Sequence, residues 1–129
     1  MKYLLDTATF LWAAADLRDQ LSPVALTLLT DSGNELCLSA VSTWEIAIKH
    51  SIGKLKILEN PDQLIPDLIL KMNLQILPIA YQHTLAVIHL PWHHKDPFDR
   101  LLACQSQFED LTLITPDAIF KKYKVKTVW

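Results

Sequence analysis

The segment HHKDPFDRLLACQS, residues 93–106, places Asp96 and Asp99 three positions apart around a proline, ahead of a helix-like apolar pattern. Other acids stand at comparable places. Asp6 follows the apolar run KYLL at once, Asp117 follows LTLIT after a single proline, and Glu45 lies one turn into the helical pattern after ELCLS. Carboxylates gathered in one cleft repel each other, so each holds its proton more tightly unless a cation stands between them. Oxygen-only donors suit hard cations. Mg²⁺ in particular is normally held by one or two carboxylates together with waters and substrate phosphate. Such a cluster would hold Mg²⁺ or Mn²⁺ and support hydrolysis of a phosphodiester, in which the ion lowers the pKa of the attacking water and neutralises charge on the phosphorus oxygens.

Each acid also has a plain use at a helix start. Asp6 can cap a helix beginning near Thr7. Ser42-Thr43-Trp44-Glu45 has the form of a capping box, with Glu45 reaching back to the Ser42 N–H. Asp96-Pro97-Phe98-Asp99 is nearly the same device with a shorter acid, and Asp117 suits the positive end of its own helix. A cap needs one acid per helix, however, and does not need all of the acids aimed at one edge.

Whether the acids meet depends on the elements that carry them. Residues 2–5, 35–39, 74–79 (broken by Pro78), 111–115 and 125–129 read as strands. Helical patterns cover 8–16, 23–32, 42–51, 62–72, 81–89, 97–108 and 117–122. Ser22-Pro23, Asn60-Pro61, Asp96-Pro97 and Thr115-Pro116 each set a capping side chain before a proline, which the first helical turn tolerates. Ser22, Asn60 and Asp67 read as structural, and Pro66 is expected to split 62–72 into a turn and a helix. Alternating strands and helices with continuous apolar strands imply an α/β fold: a mostly parallel sheet of about five strands with helices on both faces, over a single domain of residues 1–129. Ligands bind outside the C-terminal ends of such strands, which is where Asp6 and Asp117 fall.

The net charge of −2 gives no basic footprint for gripping nucleic acid by charge alone, so a phosphate substrate would need a cation. The two cysteines, Cys37 and Cys104, lie in apolar runs without metal-type spacing and read as buried free thiols in a reducing compartment. The N-terminus lacks a signal-peptide layout and no apolar run approaches the ~20 residues of a membrane span. The expected location is the cytoplasm, with no membrane partner.

At these motifs the sequence resembles the PIN-domain endoribonucleases, specifically VapC-type toxins of bacterial toxin–antitoxin pairs. The resemblance spans essentially the whole chain. It is carried in order by KYLLDTATFLW, LSAVSTWEIAIKHSIGKL, HHKDPFDRLLACQS and LTLITPDAIFKKY, and a subgroup containing DPFDR is especially similar. The resemblance implies a three-layer PIN-like fold and an acidic Mg²⁺ or Mn²⁺ site made of Asp6, Glu45, Asp99 and Asp117, with Asp96 as the cap. Asp6 and Asp99 would be the core ligands, and Asp117 would complete the shell or orient its water. Glu45 would bind a second ion, roughly 3.5–4 Å from the first, or position the nucleophilic water. The implied substrate is RNA, cut to leave a 5′-phosphate and a 3′-hydroxyl. The implied partners are a cognate antitoxin and a second copy of the chain.

Supporting roles stay open for several residues. Asp96 can reach a metal directly or through water. Thr7 and Ser39 can bond a ligand carboxylate or phosphate, or merely start helices. Arg100 can touch phosphate, stay solvated, or pair with Asp96. His94 can brace Asp96 or face substrate, whereas His50, His83 and His89 read as ordinary helix residues. Lys49, Lys54 and Lys56, and Lys121, Lys122, Lys124 and Lys126, form solvated faces or guide RNA toward an acidic mouth. Leu11, Trp12 and apolar residues of the helices from 42 and 62 either fill the core or form an interface. Three other classes gather such acids: a different Mg²⁺-dependent phosphoryl-transfer enzyme with Asp6 as nucleophile, a receiver-like signalling domain, which would need a lysine after a late strand where LTLITPD has none, and a non-catalytic PIN-fold interaction module. The first usually wants a second acid two residues on, where Ala8 stands.

Overall fold

The computed structural model describes residues 1–57 and 59–129. Among the described residues one parallel sheet contains β1 (Lys2–Leu5), β2 (Glu35–Ser39), β3 (Gln75–Leu77), β4 (Thr112–Ile114) and β5 (Thr127–Val128), in the spatial order β3-β2-β1-β4-β5. The helices are α1 (Thr7–Ala14), α2 (Pro23–Thr30), α3 (Ala40–Ser51), α4 (Pro61–Lys71), α5 (Tyr81–Ala86), α6 (Pro97–Phe108) and α7 (Ile119–Lys122). The chain steps from β1 out to β3, then returns to β4 on the other side of β1. Right-handed crossovers turn that reversal into two helical layers. Phe10 of α1, Ala25 of α2, Ile46 of α3 and Ile65 of α4 pack with Tyr3, Leu5, Leu36 and Leu38 on one face. Leu102 of α6 and Phe120 of α7 pack with Leu4, Cys37 and Leu113 on the other. Alternate strand residues thus enter different cores, which is why the strands are apolar at every inner position. The architecture is the expected three-layer α/β arrangement, and β1 lies at the point where strand order reverses.

Three of the four proline-linked caps form as expected. Ser22 accepts the Ala25 N–H at 2.9 Å, Asn60 accepts the Asp62 N–H at 3.3 Å, and Asp96 accepts the Phe98 N–H at 2.8 Å. The fourth differs. α7 starts at Ile119, and Thr115 serves the acids instead. Pro66 does not split its helix: α4 runs through it. Pro66 is exposed, so water reaches the carbonyl it leaves without a donor, while Pro61, Ile65 and Leu68 pin the opposite face. The expected capping box is also absent. Ser39, not Ser42, caps α3, which begins two residues early at Ala40 and leaves Glu45 free of the helix start.

With only two glycines in the chain, several turns use other residues in the left-handed region: Asp16 (φ 54°), Asn73 (φ 52°), Asp110 (φ 51°) and Lys124 (φ 60°). Cys37 and Cys104 are buried and unpaired, and burial pushes both thiols up. Among the described residues no helix is long and apolar enough to cross a membrane.

Candidate functional site

At the end of β1 the chain turns into α1, and Asp6 is the turning residue. Its Oδ1 accepts the Thr9 N–H at 2.7 Å and its Oδ2 accepts the Thr115 hydroxyl at 2.5 Å. The Thr9 hydroxyl donates to the Ile114 carbonyl at 3.1 Å, locking the start of α1 against β4. Asp6 is 6% exposed. Burial pushes its carboxyl up, the Thr115 and Thr9 bonds pull it back, and the charge of Asp117 adds to the upward push. Thr115 also accepts the Asp117 N–H at 3.1 Å, so one side chain holds the first acid and places the last. Asp117 itself is exposed, and its Oδ1 accepts the Ile119 N–H at 3.0 Å.

Glu45 is buried on α3 and gripped at both oxygens. Oε1 accepts the Thr7 hydroxyl at 2.7 Å, and Oε2 accepts a hydrogen bond from the Lys49 ammonium one turn on. Thr7 Oγ1 lies 2.9 Å from Ser42 Oγ as well, which fixes the rotamer that faces Glu45. The bond to Glu45 makes Lys49 hold its proton more firmly, and Asp96 and Asp99 add to that effect. Thr7 therefore bonds a carboxylate, whereas Ser39 is a helix start: it accepts the Val41 N–H at 2.9 Å and donates to Gln105 Oε1.

The start of α6 carries the remaining acids. Asp96 Oδ1 accepts the N–H groups of Phe98 and Asp99, so Asp96 is the cap. Asp99 projects its carboxylate toward His94, with 3.2 Å between Nε2 and Oδ2. His94 Nδ1 accepts the Lys95 N–H at 3.1 Å, which sets the ring with Nε2 toward Asp99. The Asp99 pKa is raised to about 7: burial is the largest cause, Asp96, Glu45 and Asp117 add to it, and His94 opposes them. Carboxylates from α3, from α6 and from the turn after β4 thus act on one another. Donor atoms of His94, Asp96 and Asp99 lie within 4.8 Å of one another; among the described residues Asp6, Glu45 and Asp117 stand outside that tight group. The donor set, mostly carboxylate oxygen with one imidazole and short of positive charge, fits Mg²⁺ or Mn²⁺.

Arg100 belongs elsewhere. It is 2% exposed, and its guanidinium donates to the Pro91 carbonyl at 2.7 Å and the Leu90 carbonyl at 3.2 Å. It also lies 4.0 Å from the centre of the Trp92 ring. The residue is neither solvated nor paired with Asp96, and its bonded donors face the chain's own loop and the Tyr123 hydroxyl rather than the acids. His83 departs from its reading as an ordinary helix residue. It is buried, its Nδ1 accepts the Ala80 N–H at 3.0 Å, and Nε2 lies 2.9 Å from Glu109 Oε1. Gln105 Nε2 donates to the Pro78 carbonyl at 3.2 Å and reaches within 3.3 Å of His83 Nδ1, linking Ser39 to this network. The spacing of Gln105 and Glu109 on one helix face was visible in sequence; the histidine opposite them was not.

Beside the acids, an apolar groove of about 360 Å³ runs between α1, α3 and α4, lined by Phe10, Leu11, Ile46, Leu64, Ile65 and Leu68. A smaller cavity of about 230 Å³ adjoins it and is walled by Thr7, Glu45 and Lys49. Leu11 and Ile46 line both, so the groove leads to the acid side chains.

No curated protein matches the sequence. Solved structures share the fold at low identity. The chain is similar to one from VapBC2 of Rickettsia felis bound to a DNA fragment from their promoter: TM-score 0.72, 19% identity, covering 99% of this chain and 98% of that one. It is also similar to one from VapBC-1 of nontypeable Haemophilus influenzae (TM-score 0.61, 20% identity, 99% and 97% covered). A third is from FitAcB of Neisseria gonorrhoeae (TM-score 0.66, 18% identity, 100% and 97% covered). The PIN domain family model matches residues 3–126. With that match running over nearly its whole length, the chain belongs to the PIN domain family.

Proposed function

We propose that this PIN protein is a metal-dependent endoribonuclease, the toxin of a VapBC-type toxin–antitoxin pair. The observation that carries the reading is the crowding at Asp99, where burial and then acids from separate elements raise one carboxyl to about 7. Packing this many carboxylates together is unfavourable unless a cation completes the set. A bound Mg²⁺ or Mn²⁺ would supply an activated water and offset charge on the scissile phosphate. Asp6 and Asp99 are the core ligands in this reading. Asp117, exposed at the rim, completes the set or orients a water. Glu45, held by Thr7, orients the attacking water, and Asp96 keeps the first turn of α6 in place so that Asp99 faces inward.

The partner reading follows the neighbours, which are chains of toxin–antitoxin complexes. A cognate antitoxin segment fits the apolar groove, which ends beside Glu45 and so couples partner binding to the acid site. A homodimer or a toxin–antitoxin hetero-oligomer is the corresponding assembly. The test is cleavage of RNA by the purified chain with Mg²⁺ or Mn²⁺, comparing wild type with Asp6→Asn and Asp99→Asn and mapping the ends. Cleavage by wild type alone, leaving 5′-phosphates, supports the proposal. Equal cleavage by all three, or none by wild type with either ion, overturns it.

A further inference from the structure

A lysine also stands against the acid site. Lys49 lies four positions after Glu45 on α3, and its ammonium donates to Glu45 Oε2 while Thr7 holds Oε1. Of this pair the Glu45 side chain is 8% exposed and the Lys49 side chain 40%. Lys49 also faces Asp96 and Asp99 across the cleft, where α3 meets the start of α6 through the edge-on contact of Trp44 with Phe98, 5.0 Å between ring centres. It walls the same small cavity as Thr7 and Glu45; Lys54 lines that cavity too, but it is Lys49 that bonds Glu45, and Lys56, from the same cluster in sequence, lines the apolar groove.

In a two-ion nuclease site, the position that the family resemblance gives a second divalent cation is against Glu45. Here that position is taken by an ammonium tethered one helical turn away. A second divalent ion on Glu45 would share its oxygens with Lys49 and be repelled by it in a partly desolvated cleft. We infer that Lys49 is the second cation of the acid site: it positions Glu45 and offsets the neighbouring carboxylates, so that the site works with one divalent ion. This inference rests on the nuclease reading and adds to it the number of ions and a positioning residue.

The full chain is titrated with Mn²⁺, bound ion being counted by electron paramagnetic resonance, and the same samples are assayed on RNA. Wild type is expected to bind one Mn²⁺ per chain. Lys49→Met is expected to keep a bound ion while kcat falls on the order of 10²-fold. Lys49→Arg, which retains the charge, should recover most of that loss. Two Mn²⁺ ions per wild-type chain overturn the inference without any variant having to fold. Cleavage by Lys49→Met within a few-fold of wild type overturns it as well. A wild type that binds no Mn²⁺ and cuts no RNA brings down the nuclease reading and this inference with it, a result distinct from either of the others.

Discussion

Asp6 and Asp99 carry the same functional group, and their surroundings at the end of β1 and at the start of α6 treat it differently. Asp6 is the more buried, yet a backbone N–H and a threonine hydroxyl each meet one of its oxygens. Asp99 has one imidazole facing it and carboxylates around it. Neutral donors suffice to hold one acid inside a protein. They do not suffice for several acids in one cleft, and the difference marks the α6 side as the region where a cation gains most by binding.

The comparison breaks most decisively on substitution of the acids. Asp99→Asn and Asp6→Asn should each reduce RNA cleavage by more than the 10–100-fold that follows from loss of a mere supporting hydrogen bond to a metal ligand. Single-turnover cleavage at saturating Mn²⁺ checks this. If Asp96→Asn, which keeps the cap, proves as damaging as Asp99→Asn, the division of labour within DPFD is wrong.

Arg100 sharpens the contrast from outside the site. Arg100→Ala strands the Leu90 and Pro91 carbonyls and removes the support under Trp92, so it should cost about 2–3 kcal/mol of stability in urea unfolding. A loss of cleavage with unchanged stability would instead return Arg100 to the phosphate. Thr115→Val, nearly the same shape, takes the hydroxyl from Asp6 and the acceptor from the Asp117 N–H. It should lower stability by about 1 kcal/mol and Mn²⁺ affinity by roughly 10-fold. Unchanged affinity would mean that Asp6 needs no positioning.

How much of this was legible in sequence differs between the same two regions. The continuous apolar strands, the prolines behind Ser22, Asn60 and Asp96, and the acids following the first and fourth strands were local patterns, and they gave the layers and the edge. The start of α3 was not legible. STWE satisfies the rule for a capping box, but Ser39 caps three residues earlier because its hydroxyl also bonds buried Gln105, a partner distant in the chain. Arg100 and His83 fail for the same reason: what fixes each of them is a distant carbonyl or carboxylate. Pro66 misled because the cost of a proline within a helix is met here by tertiary packing: Pro61, Ile65 and Leu68 hold the buried face while Pro66 faces solvent.

The smallest effect expected is on pH dependence. The Asp99 carboxyl lies at about 7 in the folded chain against an ordinary 3.8. Between those values the folded state keeps a proton that the unfolded chain has lost. The contribution of Asp99 to stability is therefore fully present below the ordinary value and is lost as pH rises through about 7. In chelator, Asp99→Asn should melt a few degrees higher than wild type at pH 8, with the gap closing toward pH 4. A gap that instead widens on acidification contradicts the crowded-acid description.

The most direct test of the cation claim is calorimetric titration of Mn²⁺ into the folded chain near pH 7, repeated in buffers of different ionisation heat. Wild type is expected to bind the ion and release part of a proton, since Asp99 must give up its own, and Asp99→Asn is expected to lose both the affinity and the release. Saturable binding that Asp99→Asn leaves unchanged, or no binding to the folded wild type, contradicts a cation site at the start of α6.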